Sequence, residues 1–172
     1  PASYTWDYNN RITGSTAGSI TDTYTYDHTG ARVSSQNGTT KTTYVTKFYN
    51  LLSGLGTSTI ATSTTAYTFL GDTSVATTEK VGTTTPVTRY THVDHLGSTN
   101  AVTDTTGATV QTLEYNPYGS VKTTTGTYSP QRQYIGQYYD TDTSLNYLNA
   151  RYYDGERGQF VSEDPVFWEI GL

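Results

Sequence analysis

An aromatic or apolar residue followed closely by Asp or Asn recurs along this chain, and its regular spacing limits the fold more than any other feature. The acid or amide positions are Asp7, Asp27, Asn50, Asp72, Asp94, Asn116, Asp140 and Asp154. Successive positions are 20 to 24 residues apart, except for a last interval of 14. A repeat of this length fits two short strands and two turns. We therefore predict one β-hairpin per repeat and a C-terminal unit of a different kind.

Aromatic side chains alternate with polar ones inside the repeats, which is the pattern of a half-buried strand. Tyr4, Trp6 and Tyr8 are predicted to share one face of an extended segment. Tyr24 and Tyr26 alternate with threonines in the same way. The chain contains 38 Thr and 17 Tyr, and both residue types favour strands. The predicted fold is all-β, with stacked antiparallel β-hairpins.

Turn-forming residues follow the strand segments, as at Asn37-Gly38. We predict that each repeated Asp or Asn before Asp154 accepts hydrogen bonds from backbone N–H groups of its own turn. The Thr-rich tracts at residues 57–68 and 83–85 are interpreted as strands or exposed connections. A short helix is predicted at residues 167–170.

Charge and composition exclude several classes of protein. The formal net charge is -5, and the 10 Lys and Arg residues form no basic stripe, so we expect no nucleic-acid partner. With no Cys, disulfides and thiolate chemistry are impossible. No apolar stretch approaches the roughly 20 residues of a membrane span. The absence of Met, including at position 1, predicts a piece of a longer protein.

His92, Asp94 and His95 are the cluster that comes nearest to a set of metal ligands. On a strand His92 and Asp94 share a face while His95 points away, so we expect no metal. We find no phosphate-binding loop and no nucleophile motif, and we expect no cofactor.

Several motifs in the second half of the chain follow one another in a fixed order. Residues 92–99 read HVDHLGST, residues 114–119 read EYNPYG, and residues 134–137 read YIGQ. Residues 145–154 read LNYLNARYYD, and residues 158–165 read GQFVSEDP. In this order they resemble the RHS repeat-associated core domain, and the earlier repeats resemble the YD repeats of the same RHS family.

The resemblance divides the chain into YD-type β-hairpin repeats at residues 1–91 and an RHS repeat-associated core at residues 92–172. It implies a β-ribbon that spirals into a hollow shell around an attached or neighbouring polypeptide, such as a toxin or a surface protein. The core closes one end of such a shell. The resemblance also implies a bacterial protein that is secreted or at the cell surface, and a complete shell needs more hairpins than this chain holds.

The resemblance further marks Asp154 and Asp164, with Arg151, as candidate catalytic residues of a self-cleaving aspartyl protease. Gly158 lies between the two Asp residues, so a hairpin turning there would place them on neighbouring strands. Two carboxylates held close do not both ionise easily, so one can act as an acid while the other activates water. Gly155 stands where the family usually has Pro.

Three functions follow from these patterns. The first is a structural scaffold that encapsulates or presents another polypeptide, and the second is autoproteolysis that releases a C-terminal segment. The third is an adhesin or fibre-forming module that self-associates through its sheet edges. Clustered exposed aromatics would favour the third function, and inward-facing ones the first.

Overall fold

In the computed structural model, residues 3–17, 20–55 and 62–164 are described, and their regular structure is almost entirely β. Twelve strands form one antiparallel sheet in sequence order. They are β1 (Ser3–Trp6), β2 (Ile12–Ala17), β3 (Ile20–Tyr26), β4 (Arg32–Asn37), β5 (Thr40–Thr46), β6 (Tyr49–Gly54), β7 (Ser63–Leu70), β8 (Thr73–Val81), β9 (Val87–Val93), β10 (Thr99–Thr103), β11 (Thr109–Tyr115) and β12 (Val121–Gly126). A second antiparallel sheet contains β13 (Tyr138–Asp140), β14 (Leu145–Leu148), β15 (Arg151–Asp154) and β16 (Gln159–Phe160).

The predicted all-β hairpin fold is confirmed. Within the described ranges the helical structure is one short 3-10 turn at Tyr134–Gly136. The helix predicted at residues 167–170, and residues 57–61 of the first Thr-rich tract, lie outside the described residues. Residues 63–68 of that tract belong to β7, and residues 83–85 form an exposed connection after β8.

The turns of the large sheet lie on two opposite edges because each strand pairs with the next one along the chain. We call the edge with the turns after β1, β3, β5, β7, β9 and β11 the first rim. The first six repeat positions lie at or near its turns, so one hairpin per repeat is confirmed. The division at residue 91 falls inside β9, and the sheet continues through it. That division therefore stays a prediction about sequence motifs.

The alternation predicted in β3 is present in the structure. Asp22 and Tyr24 are buried, whereas Thr23 and Thr25 on the opposite face are exposed. The prediction for Tyr8 is wrong: it lies in the turn after β1 and is 94% exposed. The register of β1 shifts just before that turn, so the alternation does not continue into it.

The core between the two sheets is built largely from tyrosine. Its buried members are Ile12, Tyr24, Leu145, Tyr147 and Tyr152, with Tyr4, Tyr26, Tyr138 and Val161 packed against them. Burial leaves the hydroxyl groups needing partners. Tyr26 donates to the carbonyl oxygen of Ile12 at 2.5 Å, and Tyr147 accepts the backbone N–H of Arg32 at 2.8 Å. The core is therefore held by hydrogen bonds as well as by apolar contact.

Neighbouring side chains of β15 contact two distant parts of the large sheet. The Tyr152 ring packs against Tyr24 in β3, with ring centroids 5.4 Å apart. The Tyr153 hydroxyl donates to the carbonyl oxygen of Tyr118, in the turn after β11, at 2.9 Å. Eight strand steps separate β3 from β11, about 38 Å across a flat sheet. Because adjacent residues cannot span that distance, the large sheet must curl around the small one.

Close backbone contact fixes the turn after β15 against the turn after β11. A Cβ atom on Gly155 would lie 2.7 Å from the backbone nitrogen of Ser120 and 2.9 Å from the carbonyl carbon of Gly119. Gly158 lies against the Tyr118 ring. Gly155 stands where the resemblance to the RHS family predicts Pro. The contact that it makes with Gly119 and Ser120 leaves no room for a side chain.

Replacing Gly155 with Ala is expected to lower the free energy of unfolding by about 1–3 kcal/mol, because backbone atoms must move to admit the methyl group. Urea unfolding followed by circular dichroism measures the change. Glu156→Ala, an exposed position in the same turn, is the control and is expected to change little. Equal effects of the two substitutions would contradict the close packing.

Candidate functional site

Three of the seven repeat positions before Asp154 hold their own turns together as predicted: Asp7, Asp27 and Asp94. In the turn after β3, Asp27 Oδ1 accepts the backbone N–H groups of Thr29 at 2.8 Å and Ala31 at 3.0 Å. The Thr29 hydroxyl and these N–H groups lower the pKa of Asp27. The same arrangement is present at Asp7 and Asp94. Asp104, outside the repeat, forms it in the turn after β10.

Four repeat positions do not follow this prediction, and two of them make contacts across the fold. Asn50 is buried in β6, where its amide donates to Gln131 Oε1 at 2.9 Å. Asp140 ends β13 and forms an ion pair with Arg32 at 2.5 Å. Asn116 keeps its turn, but its side-chain amide donates to the Ser120 hydroxyl. The Asp72 carboxylate is fully exposed and lies 3.7 Å from Lys47 Nζ.

Asp154, the first candidate catalytic residue, is placed by the hairpin of β15 and β16. Its Oδ1 accepts the backbone N–H groups of Glu156 at 2.9 Å and Arg157 at 3.1 Å. The Arg157 side chain lies 3.6 Å from Oδ2. The carboxylate therefore has the turn contacts of the earlier Asp residues.

Asp164 and Arg151 come together at the other end of the same hairpin. The Arg151 guanidinium lies 2.9 Å from Asp164 Oδ2, and it also stacks on the Phe160 ring at 3.7 Å. Arg151 begins β15 and Asp154 ends it, so their Cα atoms are about 10 Å apart along the strand. The structure thus pairs Arg151 with Asp164, while Asp154 caps the turn; the catalytic dyad stays a prediction.

Arg32 is the centre of a cluster that sequence reasoning missed. Its side chain is 1% exposed, and it donates to Asp140 at 2.5 Å, Tyr44 at 2.9 Å and Tyr152 at 3.0 Å. Five tyrosine rings surround the guanidinium at 4.4 to 5.9 Å, within the range of cation–π attraction: Tyr24, Tyr44, Tyr138, Tyr147 and Tyr152. Burial alone would lower the pKa of Arg32, but the Asp140 carboxylate outweighs it and the pKa is raised. The charge is therefore permanent and holds the two sheets together.

The sequence does contain a signal for this cluster. Arg11 stands four positions after Asp7 and turns back to it, with a 2.7 Å ion pair. Arg32 stands five positions after Asp27, so its side chain points to the opposite face of the sheet, which is the interior. The offset of one residue distinguishes the turn arginine from the buried one.

A second buried charge, Asp22 in β3, has no such cation. Asp22 is 5% exposed, and its Oδ2 accepts the Ser15 hydroxyl at 3.2 Å. Its Oδ1 has no hydrogen-bond partner among the described residues. Burial, followed by the nearby Asp142 and Asp140 carboxylates, raises the pKa of Asp22 to about 6.

The large sheet is a curled ribbon of hairpins that packs around a smaller sheet. This is the fold of β-repeat shell proteins. Residues 86–170 match the Teneurin YD-shell family. The chain is similar to the double-stranded DNA deaminase toxin A of Burkholderia cenocepacia, with 32% identity over 80 residues, 44% of this chain and 6% of that protein. It is also similar to the tRNA nuclease WapA of Bacillus subtilis strain 168, with 36% identity over 77 residues, 43% of this chain and 3% of that protein.

Solved structures give the same fold. The TcdB2-TccC3 structure without its hypervariable C-terminal region superimposes with a TM-score of 0.82 at 20% identity, covering 96% of this chain and 9% of that one. This chain therefore spans a small part of the proteins it matches. The matches support an RHS/YD-repeat family for this chain, and they support the role of a structural shell scaffold in toxin-related proteins.

Replacing Arg32 with Met is expected to lower the free energy of unfolding by about 3–5 kcal/mol, because Asp140 keeps its charge without its cation. Urea unfolding at pH 7.5 measures the loss. Lys122→Met is the control, since Lys122 lies 3.8 Å from Glu114 with both side chains more than 60% exposed. It is expected to cost less than about 1 kcal/mol. A loss of that size for Arg32→Met would show that the buried pair does not join the sheets.

Replacing Asp22 with Asn is expected to raise stability at pH 7.5 by about 1–2 kcal/mol and to have little effect at pH 4. The pKa of Asp22, about 6 against an ordinary 3.8, means that the folded state binds the proton more tightly. Stability contributed by protonated Asp22 is therefore lost as the pH rises from about 4 to 6. Unfolding curves across this range measure the effect.

Asp104→Asn is the control with the opposite sign. The Thr106 hydroxyl lowers the pKa of Asp104, so its ionised form stabilises the fold above pH 4. We expect Asp104→Asn to lower stability at pH 7.5. Loss of stability in Asp22→Asn at pH 7.5 would contradict the assignment of Asp22 as an unfavourable buried charge.

Proposed function

We propose that this chain is a wall segment of a shell that encloses an attached polypeptide, and that residues 128–164 form its closing element. The main observation in support is that the large sheet curves around β13–β16. Tyr152 contacts Tyr24 in β3, and Tyr153 contacts Tyr118 in the turn after β11, and these two contacts hold the curvature. A curved sheet has an inner face, and hairpins repeated in the same way would extend that face.

The distribution of aromatic residues supports a scaffold over an adhesive surface. Five tyrosines converge on the buried Arg32. The most exposed large side chains are Tyr8, Leu70 and Tyr118, which stand at or beside separate first-rim turns. The convergence of tyrosines on the interior is the pattern expected of a scaffold.

The relatives support a bacterial toxin as the attached polypeptide, in a protein that is secreted or at the cell surface. Their names describe a DNA deaminase toxin and a tRNA nuclease. Because the matched segments are 6% and 3% of those proteins, we assign the toxic activity to a part of the longer protein outside these 172 residues. Within the described residues there is no helix long and apolar enough to cross a bilayer.

Limited proteolysis tests the enclosure. The natural protein, with its upstream and downstream sequence, is compared with the downstream polypeptide expressed alone. We expect the enclosed polypeptide to resist protease at least ten times longer inside the complete protein, and Arg32→Met to reduce that protection. Cleavage at equal rates in the two forms would contradict enclosure.

The second candidate function is self-cleavage by Asp154 and Asp164. It is supported by the ion pair that joins two of the three candidate residues, Arg151 and Asp164. In this proposal Asp164, held by Arg151, activates the water. Asp154 would then supply the acid.

Intact mass of the chain expressed with its natural downstream sequence tests this candidate. We expect a cut downstream of Asp164 in the unmutated protein, and none in Asp154→Asn or Asp164→Asn. Asp104→Asn is the control and is expected to be cut normally. A single uncut mass for the unmutated protein would rule out self-cleavage, and a cut at the acid-labile Asp164–Pro165 bond would indicate chemical breakage.

A further inference from the structure

A polar cleft opens between the large sheet and the end of β13. Its volume is about 230 Å³, and it lies between inward side chains of β3, β4 and β5 and the segment at residues 138–142. Three carboxylates line it: Asp22, Asp140 and Asp142. Thr141 and Asp142 are exposed at its mouth. The cleft is therefore acidic and open to solvent.

The negative charge of the cleft is only partly balanced. Arg32 neutralises Asp140. The Asn37 amide donates to Asp142 Oδ2, and this contact holds the turn after β13 against β4 without neutralising the carboxylate. Among the described residues, no cation pairs with Asp22 or Asp142. The cleft thus has two negative charges in excess.

Asp22 is the feature that indicates a ligand. It is 95% buried and lines the cleft, yet its Oδ1 has no hydrogen-bond partner in the described part of the chain. An unpaired buried carboxylate is costly to the fold and is usually found where it serves binding or catalysis. Asp22 is held in place from both sides, by Ser15 on β2 and by its cross-strand neighbour Asn37 on β4.

The other lining groups indicate the class of ligand. No group of three or more His, Cys, Asp or Glu side chains among the described residues is arranged to hold a metal ion. The cleft offers hydroxyl acceptors at Ser35, Thr40 and Thr42, beside the aromatic rings of Tyr24 and Tyr44. An ammonium group has three donors for carboxylates and hydroxyls, and an alkyl chain behind it packs on tyrosine rings.

We propose that this cleft binds a primary alkylammonium group, and that the natural source is a lysine side chain of a polypeptide held against the inner face of the sheet. Asp22 and Asp142 accept its hydrogen bonds, and the tyrosine walls cover its methylene chain. The choice of lysine over a free diamine rests on the proposed function; the ammonium site itself rests on the cleft.

Titration of the ¹⁵N-labelled chain with Nα-acetyl-lysine methylamide tests the site by NMR at pH 7.5. We expect saturable shifts at the amides of Asp22, Asn37 and Asp142. The uncharged Nα-acetyl-norleucine methylamide, which has the same four side-chain carbons without the ammonium group, is expected to give none. Asp22→Asn and Asp142→Asn are each expected to raise the Kd about tenfold or more, and Asp104→Asn to leave it unchanged.

Lowering the pH adds a second readout. The pKa of Asp22, about 6, means that it is protonated at pH 5, so the lysine probe is expected to bind more weakly there. The other charged or titratable groups in or behind the cleft are Asp140, Asp142, Tyr24, Tyr44, Tyr138, Tyr139 and Arg32. Burial raises the pKa of Tyr24 and Tyr44, and the Asp140 carboxylate raises the pKa of Arg32, so these three groups keep their charge state between pH 7.5 and pH 5.

Cadaverine, a free diamine, distinguishes the two sources of ammonium. Binding of the lysine probe supports the proposal, whereas binding of cadaverine alone would keep the ammonium site and overturn lysine as its source. No saturable shift with either probe, or equal shifts with the norleucine probe, would overturn the site. Probe binding without protease protection of the attached polypeptide would overturn enclosure and leave the site intact.

Discussion

The ion pair between Arg32 and Asp140 is the interaction on which the rest of the structure depends. A buried charge loses several kcal/mol of hydration, and it is tolerated only where excellent partners replace the water. Here the partners come from both sheets: Tyr44 from the large one, and Asp140 and Tyr152 from the small one. The contacts that replace the water around Arg32 are therefore also contacts that join the two sheets. The curvature of the ribbon depends on it, since β15 can contact β3 and the turn after β11 only when the small sheet is seated.

Tyrosine suits this architecture because the chain has little aliphatic material to bury. Only 33% of the residues are hydrophobic, yet Tyr24, Tyr67, Tyr147 and Tyr152 are all at most 5% exposed. Each ring supplies a large apolar surface, and each hydroxyl supplies a polar group that must find a partner. The interior is consequently a network of rings and hydrogen bonds, and it places charged groups such as Asp22 beside apolar walls.

The features that could be predicted from the sequence are those that depend on residues close together along the chain. The Asp27 turn closes through N–H groups two and four positions ahead, so the repeat and its turn chemistry were visible in the printed order of residues. Arg32, Asn50 and Asp140 were not, because their partners lie up to 120 positions away. Asp140 shares its repeat position with turn-forming residues, and only the fold separates the two roles. The pairing of Arg151 with Asp164 likewise depends on where the chain turns after β16.

The separation of 108 residues between Arg32 and Asp140 also sets an order of events. The hairpins of the large sheet pair neighbouring strands, so they can form as the chain leaves the ribosome. The small sheet, whose contacts hold this curvature, is made after the twelve strands of the large one. At about 5–20 residues per second, the interval between synthesis of Arg32 and Asp140 is on the order of 10 s. During that interval Arg32 cannot yet contact Asp140 or Tyr152. The order of residues along the chain therefore delays the packing of the two sheets until the hairpins of the large sheet have been made.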